Sequence, residues 1–240
     1  MSKNRLDQTL VKNGLVTTRS QAENYIKLGY VLVDGKAATK PGTPVGEGSK
    51  IKLIIKEQYV SRAALKLASV AAKFQLDFKD KTVLDVGSST GGFTDYALRR
   101  GAKKVVGVDV GTNQMHPSLR DDPRVELHEQ TDVRDLKMKD SPDIVLIDVS
   151  FISLREISPY VATLSGPKTQ IVALLKPQFE AGKDQINKGI IKNDRLRRQI
   201  LKDFELWTKK LFVVRDKADS EVAGTHGNEE RFYLLKAIKR

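Results

Sequence analysis

The stretch Thr82-Val-Leu-Asp-Val-Gly-Ser-Ser-Thr-Gly-Gly-Phe93 decides the fold of this chain. It joins a short apolar run to a segment of helical spacing through a turn that contains three glycines. Glycine lets the backbone turn sharply and come close to a ligand. The stretch therefore predicts the first strand and helix of an α/β domain, with a ligand site where the two meet.

Strand and helix patterns alternate on the carboxyl side of this stretch. Strand patterns fall at 82–85, 105–109, 125–128, 143–148, 170–175, 212–215 and 232–236. Helical patterns fall at 61–73, 93–100, 154–164 and 194–210. Unbroken apolar strands that alternate with helices indicate an open, mostly parallel sheet covered on both faces, which is a Rossmann-like α/β fold. Ligands of such sheets bind at the carboxyl ends of the strands.

The amino-terminal part of the chain has a different pattern. Helical spacing before Gly14 and Gly29 predicts two short helices, and a capping box at Thr18-x-x-Gln21 opens the second one. The pair Asp34-Gly35 favours a tight hairpin turn, and a closing strand follows at 51–55. This order predicts a small α+β module that precedes the larger domain.

Positive charge is concentrated in this module. The chain carries a net charge of +12, and residues 1–56 contribute +6 of it, with ten Lys or Arg against four Asp or Glu. A small, strongly basic module attached to a less basic domain favours a polyanionic partner, with RNA or DNA as the first candidate. A solubilising surface would give the same charge, so the charge alone does not decide between them.

The glycine turn can be compared with the loops that bind common cofactors. A dinucleotide loop needs Gly-x-Gly-x-x-Gly, but Ser89 stands at the middle glycine position. A P-loop keeps the spacing of Gly87 and Gly92 but requires Lys next, where this chain has Phe93. The ligand that remains is S-adenosylmethionine, which carries an amino-acid zwitterion and a sulfonium but no phosphate.

Two acidic residues on later strands support this choice. Asp109 ends the second strand, about 20 residues beyond the loop, where a carboxylate can accept both ribose hydroxyls; a helix cap is the alternative. Asp132 follows the third strand and could accept from the adenine amino group, or it could serve as a turn residue. The predicted cofactor-binding residues are Asp85, Gly87, Ser88, Ser89, Gly91, Gly92, Phe93, Asp109 and Asp132.

Four polar residues stand where such a sheet would present a reacting group. Asp148 ends one long apolar strand, and Lys176 ends the next one after five apolar residues. A salt bridge at the strand end, even to Asp148 itself, would also explain Lys176. Lys66 lies on the helix before the first strand and Glu230 lies just before the last strand, and each alone would be taken for a surface charge.

These motifs together resemble the TlyA (hemolysin A) family of FtsJ-like ribosomal RNA 2′-O-methyltransferases. The resemblance spans nearly the whole chain and rests on the segments Ser61–Lys66, Asp85–Phe93, Asp148–Phe151, Leu175–Glu180 and Gly227–Glu230. It implies S-adenosylmethionine as cofactor, and ribosomal RNA or ribosomal subunits as partner.

The same resemblance implies a Lys-Asp-Lys-Glu catalytic tetrad at Lys66, Asp148, Lys176 and Glu230. The adjacent Glu229 is the alternative for the last position, although the spacing from Gly227 favours Glu230. A lysine next to the ribose hydroxyl can stabilise developing alkoxide charge or, as a neutral amine, take the proton. Which member of the tetrad accepts the proton stays open at this point.

Residues 4–55 resemble the ribosomal-protein-S-four-type RNA-binding domain. The resemblance rests on Arg5-Leu-Asp, Thr18–Ala22, Gly29–Lys36 and Gly48–Ile51 in that order. It implies a paired-helix surface that contacts structured RNA mainly through its backbone. The candidate RNA contacts, each of which alone could be a solvated side chain, are Arg5, Lys12, Arg19, Lys27 and Lys36.

Composition argues against several other classes of protein. The chain has no cysteine and only three scattered histidines, so we expect no disulfide and no metal site. No apolar run approaches the ~18 residues of a membrane span, and no apolar segment follows the basic start. We therefore expect a cytoplasmic protein with no membrane partner.

The sequence also predicts the domain boundaries. We expect an RNA-binding domain over 1–56, a linker over 57–62 and a methyltransferase domain over 63–240. Two other functions stay open: a non-catalytic RNA-binding or ribosome-assembly protein, and a membrane-active protein of the hemolysin type. The oligomeric state leaves no signal in the sequence.

Overall fold

A computed structural model describes residues 4–16, 19–27, 29–46, 48–54, 59–182, 190–191, 193–222, 224 and 227–238. The chain divides into two units, Met1–Arg62 and Ala63–Arg240. Thr18 of the predicted capping box, Ile55 at the end of a predicted strand and residues 57–58 of the predicted linker lie outside the described residues.

The described residues of the first unit form two short helices and five short strands. They are β1 (Asn4–Arg5), α1 (Leu6–Lys12), α2 (Arg19–Lys27), β2 (Val31–Val33), β3 (Lys36–Ala38), β4 (Pro44–Val45) and β5 (Ile51–Leu53). Strands β3, β2 and β5 form an antiparallel sheet in that order, and β1 pairs with β4. The two-residue strands β1 and β4 were not predicted, because two residues are too few to show a period.

The turns of this unit follow the sequence closely. Asp34 and Gly35 both have positive φ, 51° and 81°, as the hairpin turn between β2 and β3 requires. Gly14 and Gly29 follow the two helices with φ of 66° and 73°, which is the left-handed conformation of a helix C-terminus. The apolar faces of both helices are buried, including Leu6, Leu10, Ala22, Tyr25 and Ile26.

The second unit is an α/β domain around one seven-stranded sheet. Its strands are β6 (Thr82–Val86), β7 (Lys104–Val108), β8 (Val125–His128), β9 (Ile144–Ile147), β10 (Gln170–Leu175), β11 (Phe212–Asp219) and β12 (Arg231–Ala237). Its helices are α3 (Arg62–Ala71, which begins one residue before the unit), α4 (Gly92–Arg99), α5 (Pro117–Arg120), α6 (Leu154–Leu164), α7 (Pro177–Glu180) and α8 (Asp194–Thr208).

The strand order in this sheet is β11-β12-β10-β9-β6-β7-β8. Six of these seven strands run in the same direction, and β12 runs antiparallel to both of its neighbours, β10 and β11. The chain moves outward from β6 to β7 and β8, and then returns to the other side of β6 with β9. Such a reversal opens a crevice at the carboxyl ends of the central strands. The predicted open, mostly parallel sheet is confirmed.

The structure differs from the sequence pattern at a few elements. The four-residue helices α5 and α7 were not predicted, because each spans barely one helical turn. Strand β11 is longer than predicted and extends to Asp219. Its residues alternate between more and less exposed positions beyond Phe212, so its second half contains charged side chains that hid the strand pattern.

Candidate active site

The carboxyl edge of the parallel strands gathers most of the predicted site residues. Val86 pairs with Val108 on one side and with Ile147 on the other, so the residues that follow these three strands lie side by side. Strand β10 is in register beside β9, with Ala173 opposite Ile147. Gly87, Asp109, Asp148 and Lys176 therefore stand along one edge of the sheet.

The glycine turn has the tight geometry that its sequence predicts. Gly87 has φ of 79°, and a Cβ atom there would lie 2.7 Å from the carbonyl oxygen of Asp148. Gly91 has φ of 88°, and a Cβ atom there would collide with the side chain of Leu119. Helix α4 begins at the next residue without any side-chain cap. The turn therefore leaves the first backbone N–H groups of α4 for another acceptor.

Beneath this turn, Asp85 is almost fully buried, and only one of its two carboxylate oxygens accepts a hydrogen bond from a described residue. Its Oδ2 accepts a hydrogen bond of 2.6 Å from Thr94 Oγ1, whereas its Oδ1 is buried and has no hydrogen-bond partner among the described residues. Burial, with smaller contributions from the charges of Asp148 and Asp109, raises the pKa of Asp85 to about 7, although the Thr94 hydrogen bond opposes the shift. A buried polar atom without a partner is costly and points to a missing ligand group.

Asp85 lines a small cavity of about 150 Å³. The hydroxyl of Ser88 lines it too and is likewise buried, with no hydrogen-bond partner in the described part of the chain. The cavity is completed by Gly87, Ser89, Thr90, Gly92, Phe93, Ala63, Asp148, Ser150 and Lys176. It thus holds the glycine turn together with the ends of β9 and β10, and its donor set fits the charged amino-acid end of a cofactor.

A larger cavity of about 610 Å³ lies on the β7 side of the same edge. Its lining combines apolar side chains, such as Val86, Val108 and Ile157, with the two predicted acidic residues Asp109 and Asp132. The volume lies in the range of small-molecule and cofactor sites, which are mostly apolar with a few placed polar groups.

Asp109 ties the two loops at the rim of this larger cavity together. Its Oδ2 accepts from the backbone N–H of Ser89 at 2.8 Å, and its Oδ1 accepts from that of Gly111 at 2.7 Å. Each carboxylate oxygen can accept a second hydrogen bond, so Asp109 can still receive ribose hydroxyls.

Asp132 faces the same cavity but has a strong partner of its own. Arg134 Nε and Nη2 donate to its two carboxylate oxygens at 2.9 and 2.7 Å, and the Arg134 backbone N–H donates as well. These hydrogen bonds lower the pKa of Asp132. The side chain closes a local turn, which is the alternative role that the sequence left open, while it also lines the cavity.

Lys176 lies between two oxygen atoms at the end of β10. Its Nζ is 2.7 Å from Asp148 Oδ1, and both side chains are largely buried, with 11% and 14% of their surface exposed. Nζ also donates a hydrogen bond of 2.9 Å to Ser150 Oγ. The strand-end salt bridge that the sequence suggested is therefore present, and it lies inside the small cavity.

Lys66 and Glu230 form a second ion pair, which is more deeply buried. Lys66 Nζ donates to Glu230 Oε2 at 2.6 Å, and the two side chains are 11% and 2% exposed. Gly224 packs so tightly against the carboxylate of Glu230 that a Cβ atom there would collide with it. Neither residue is the surface charge that it resembles when taken alone.

The adjacent glutamate takes a different position. The side chain of Glu229 is 70% exposed and lies 3.4 Å from Arg197 Nε, on the outside of the domain. Neighbouring residues of an extended segment point to opposite sides, which explains why only Glu230 turns inward.

Sheet register brings the two ion pairs to the same region. Leu175 of β10 is opposite Arg231 of β12, so Lys176 and Glu230 are the next residues beyond this antiparallel pair. Helix α3 reaches the same place, because Ala63 lines the small cavity and Lys66 follows one turn later. The structure thus gathers all four predicted tetrad residues at one end of the sheet, as two lysine–carboxylate pairs.

Phe151 is a residue of this site that sequence reasoning missed. Its side chain is 92% exposed although it lines the large cavity, and its backbone has φ of 65°, which is unusual for an aromatic residue. The ring packs against Phe179 with centroids 5.1 Å apart. The motif Asp148–Phe151 was visible in the sequence. Phe151 lies in the loop after β9, however, where no strand or helix period indicates that the ring points away from the core.

In the first unit, two of the predicted RNA contacts, Arg5 and Arg19, form ion pairs with a buried aspartate. Asp7 is fully buried, and its carboxylate accepts hydrogen bonds from Arg5 at 3.0 and 2.9 Å and from Arg19 at 2.8 Å. These hydrogen bonds, Arg5's first, lower the pKa of Asp7 to about 2 despite its burial. Both arginines remain about half exposed, at 46% and 55%.

The other three candidate RNA contacts are lysines without an ion-pair partner among the described residues. Lys12, Lys27 and Lys36 are exposed, and none of them makes an ion pair with a described residue. They lie at the end of α1, at the end of α2 and at the start of β3. Each of them is therefore free, among the described residues, to contact a polyanion.

Two features are absent from the described part of the chain. Within it, no cluster of three or more metal-ligating side chains has the geometry of a metal site. None of its helices combines the length and the apolar character that crossing a membrane demands.

Comparison with known proteins assigns both units. Residues 59–237 match the model of the FtsJ-like methyltransferase family, and residues 4–51 match that of the S4 domain. The 16S/23S rRNA (cytidine-2′-O)-methyltransferase TlyA of Mycobacterium tuberculosis is 38% identical, over 97% of this chain and 89% of its own length.

Two further proteins share this similarity. Hemolysin A of Brachyspira hyodysenteriae is 38% identical, over 82% of this chain and 84% of its own length. The solved structure named "Putative hemolysin from Streptococcus thermophilus" is 40% identical, with a TM-score of 0.73 over 100% of this chain and 90% of that chain. The chain therefore belongs to the FtsJ-like methyltransferase family and carries an S4 domain at its amino terminus.

Proposed function

We propose that this protein transfers the methyl group of S-adenosylmethionine to a ribose 2′-hydroxyl of ribosomal RNA. The observation that carries the proposal is the pair formed by Lys176 and Asp148, which lies at the carboxyl edge of the sheet beside a cofactor-sized cavity. The names of the TlyA relatives from Mycobacterium tuberculosis and Campylobacter jejuni, both rRNA (cytidine-2′-O)-methyltransferases, support the same reaction class.

The residues around the two cavities fit S-adenosylmethionine, which supplies an electrophilic methyl group on a sulfonium. The unpartnered Oδ1 of Asp85 can accept from the ammonium of the amino-acid end. The uncapped N-terminus of α4 can donate to its carboxylate. Asp109 can accept from the ribose hydroxyls, and Asp132, which lines the same large cavity, can accept from the adenine amino group.

Lys176 and Asp148 would act on the nucleophile. A ribose hydroxyl is a poor nucleophile at neutral pH, because its proton is held far too tightly. A cationic lysine in a largely buried site stabilises the negative charge that develops on the oxygen, and the carboxylate of Asp148 holds the lysine in place. The hydroxyl proton can pass to the carboxylate of Asp148, or to Lys176 where it is the neutral amine, because a cationic lysine cannot accept a proton.

Lys66 and Glu230 would position the substrate and the first pair. Their ion pair is buried at the end of the sheet next to Lys176, and a buried pair of this kind holds a fixed geometry. The lysine can contact the ribose or its phosphate when RNA enters. The exposed ring of Phe151 at the rim of the cavity offers a face on which a nucleobase can stack.

The amino-terminal unit would supply most of the affinity for RNA. The exposed side chains of Lys12, Lys27 and Lys36 can contact phosphate groups. Arg5 and Arg19 pair with Asp7 but stay about half exposed, so they can contact phosphate as well. With ribosomal RNA as substrate, we expect the protein to act in the cytoplasm.

The proposal is tested by incubating the protein with ribosomal subunits and S-adenosylmethionine that carries a labelled methyl group. Digestion of the RNA to nucleosides then identifies the methylated atom. We expect the label in 2′-O-methyl nucleosides, whereas label in base-methylated nucleosides, or none at all, would contradict the proposal. Leakage of dye from liposomes, measured beside it, tests the membrane activity that the hemolysin name suggests.

A further inference from the structure

Ser150 stands at the junction of the two cavities, between the cofactor turn and Lys176. It lines both the large and the small cavity, and its side chain is exposed to them and to solvent. Its hydroxyl oxygen accepts a hydrogen bond of 2.9 Å from Lys176 Nζ. No other hydrogen-bond acceptor of Nζ occurs among the described residues.

The contact between Lys176 and Asp148 is of a different kind. The two charged atoms are 2.7 Å apart, but Asp148 Oδ1 has no hydrogen-bond partner among the described residues. Asp148 therefore supplies charge, which attracts Nζ from any direction. Ser150 supplies the directional bond, which fixes the rotation of the amino group about its last carbon–nitrogen bond.

From this arrangement we infer that Ser150 is a positioning residue for methyl transfer, which aims Lys176 at the ribose hydroxyl. A lysine ammonium has three N–H groups, and a neutral amine has two N–H groups and one lone pair. With one N–H bonded to Ser150 and a second on the side of Asp148, the third N–H of the ammonium is left for the substrate oxygen. In the neutral amine, the bond to Ser150 leaves one N–H and the lone pair to face Asp148 and the substrate oxygen.

This inference rests on the proposed function, and it predicts which kinetic constant changes. Ser150→Ala should lower kcat by roughly ten- to a hundredfold, the scale of a hydrogen bond to a charged group. The KM for ribosomal subunits and the Kd for S-adenosylmethionine should stay within about twofold of the parent, because the hydroxyl acts on the lysine and not on either ligand.

Ser150→Thr keeps the hydroxyl and should recover most of the lost rate. Ser141→Ala is the matched control, because this exposed serine lies before the opposite end of the same strand, β9. Thermal melting of all three variants should match the parent, since both serines are exposed.

Two results would overturn the inference. One is a parental kcat in Ser150→Ala, and the other is an equal loss in the Ala and Thr variants, which would show that the hydroxyl is not what matters. An assay of the parent protein in parallel distinguishes either of these results from a failure of the proposed function. If the parent transfers no methyl group to ribose, the proposed function fails; if it does and Ser150→Ala matches it, only the role of Ser150 fails.

Discussion

Asp85 illustrates at the scale of one residue how the fold prepares a ligand site at the expense of stability. Its pKa of about 7 lies well above the ordinary value for an aspartate in an unfolded chain, near 3.9. The folded protein therefore holds a proton that the unfolded chain has already released. Stability that is present at low pH is lost as the pH rises from about 4 to about 7, and it stays lost above that range.

We predict that Asp85→Asn removes this pH dependence. The parent should lose stability between pH 4 and pH 7, by at most about 4 kcal/mol for a shift of three units, and the variant should lose much less. Thermal melting from pH 4 to pH 8 measures the difference. The exposed Asp140→Asn serves as the control and should follow the parent. If the melting temperatures of the parent and of Asp85→Asn fell by the same amount over this pH range, burial of Asp85 would not be the cause of the pH dependence.

The two ion pairs give a second prediction at this scale. Lys176→Ala and Asp148→Ala should fold and bind S-adenosylmethionine nearly as the parent does, but lose rRNA methylation by roughly a hundredfold or more. Lys66→Ala and Glu230→Ala should be impaired in the same assay.

Glu229 provides a matched control for the last of these variants. It is next to Glu230 in the sequence but 70% exposed, so Glu229→Ala should stay close to the parental rate. Glu230→Ala can also lose stability, because it leaves Lys66 buried without its partner, and a melting curve separates that effect from the rate. A Glu229→Ala protein as inactive as Glu230→Ala would reverse the assignment.

At the scale of elements, the turn between β6 and α4 is the part of the site that could be predicted most fully. Its glycines, its length and its place after an apolar strand are all local, and the two positive φ angles at Gly87 and Gly91 follow from them. The neighbours that require glycine, Asp148 and Leu119, lie far away in sequence and appear only in the folded structure.

We predict that this turn, together with Asp109, binds S-adenosylmethionine in the absence of RNA. The ligand should raise the melting temperature of the parent, because it binds only the folded state. Gly91→Val, which collides with Leu119, and Asp109→Ala should each abolish the shift, whereas Gly46→Ala in the first unit should keep it. An undiminished shift in Asp109→Ala would show that the ligand binds elsewhere.

Elements also show where sequence reasoning stops. The strand ends that carry Asp148 and Lys176 were predictable, because long apolar runs lead to each of them. The contact of Lys176 with Ser150 and the outward ring of Phe151 were not, because both depend on how the loop after β9 is folded. A loop of irregular backbone has no period from which side-chain directions can be read.

At the scale of the whole molecule, the chain combines a basic unit with an α/β methyltransferase unit. The change in sequence pattern and the excess of charge over 1–56 were sufficient to predict two parts. The sequence did not show which basic residues pair with a buried carboxylate and which do not. Arg19 of α2 reaches the buried carboxylate of Asp7, which Arg5 also contacts, only because the two helices pack together. Lys12, Lys27 and Lys36 are exposed and have no ion-pair partner among the described residues.

We predict that the first unit provides the affinity for rRNA. A shortened protein that begins at Gln58 should still bind S-adenosylmethionine but lose most rRNA binding. The full chain should bind less tightly as salt increases, because its contacts are to phosphate. Replacing Lys12, Lys27 and Lys36 together by Gln should weaken binding and flatten this salt dependence without changing the melting temperature. Equal rRNA affinity of the shortened and full proteins at the same salt would refute this role.

In the proposed reaction, the Lys176–Asp148 pair directs a methyl group to a ribose oxygen of ribosomal RNA. The most direct measurement is alkaline cleavage of rRNA from cells that lack the gene and are supplied with either the parent or Lys176→Ala, because a 2′-O-methyl group blocks cleavage at its linkage. We predict a protected linkage with the parent and cleavage at that linkage with Lys176→Ala. Protection by Lys176→Ala equal to that of the parent, or methylation found only on a base, would contradict the account.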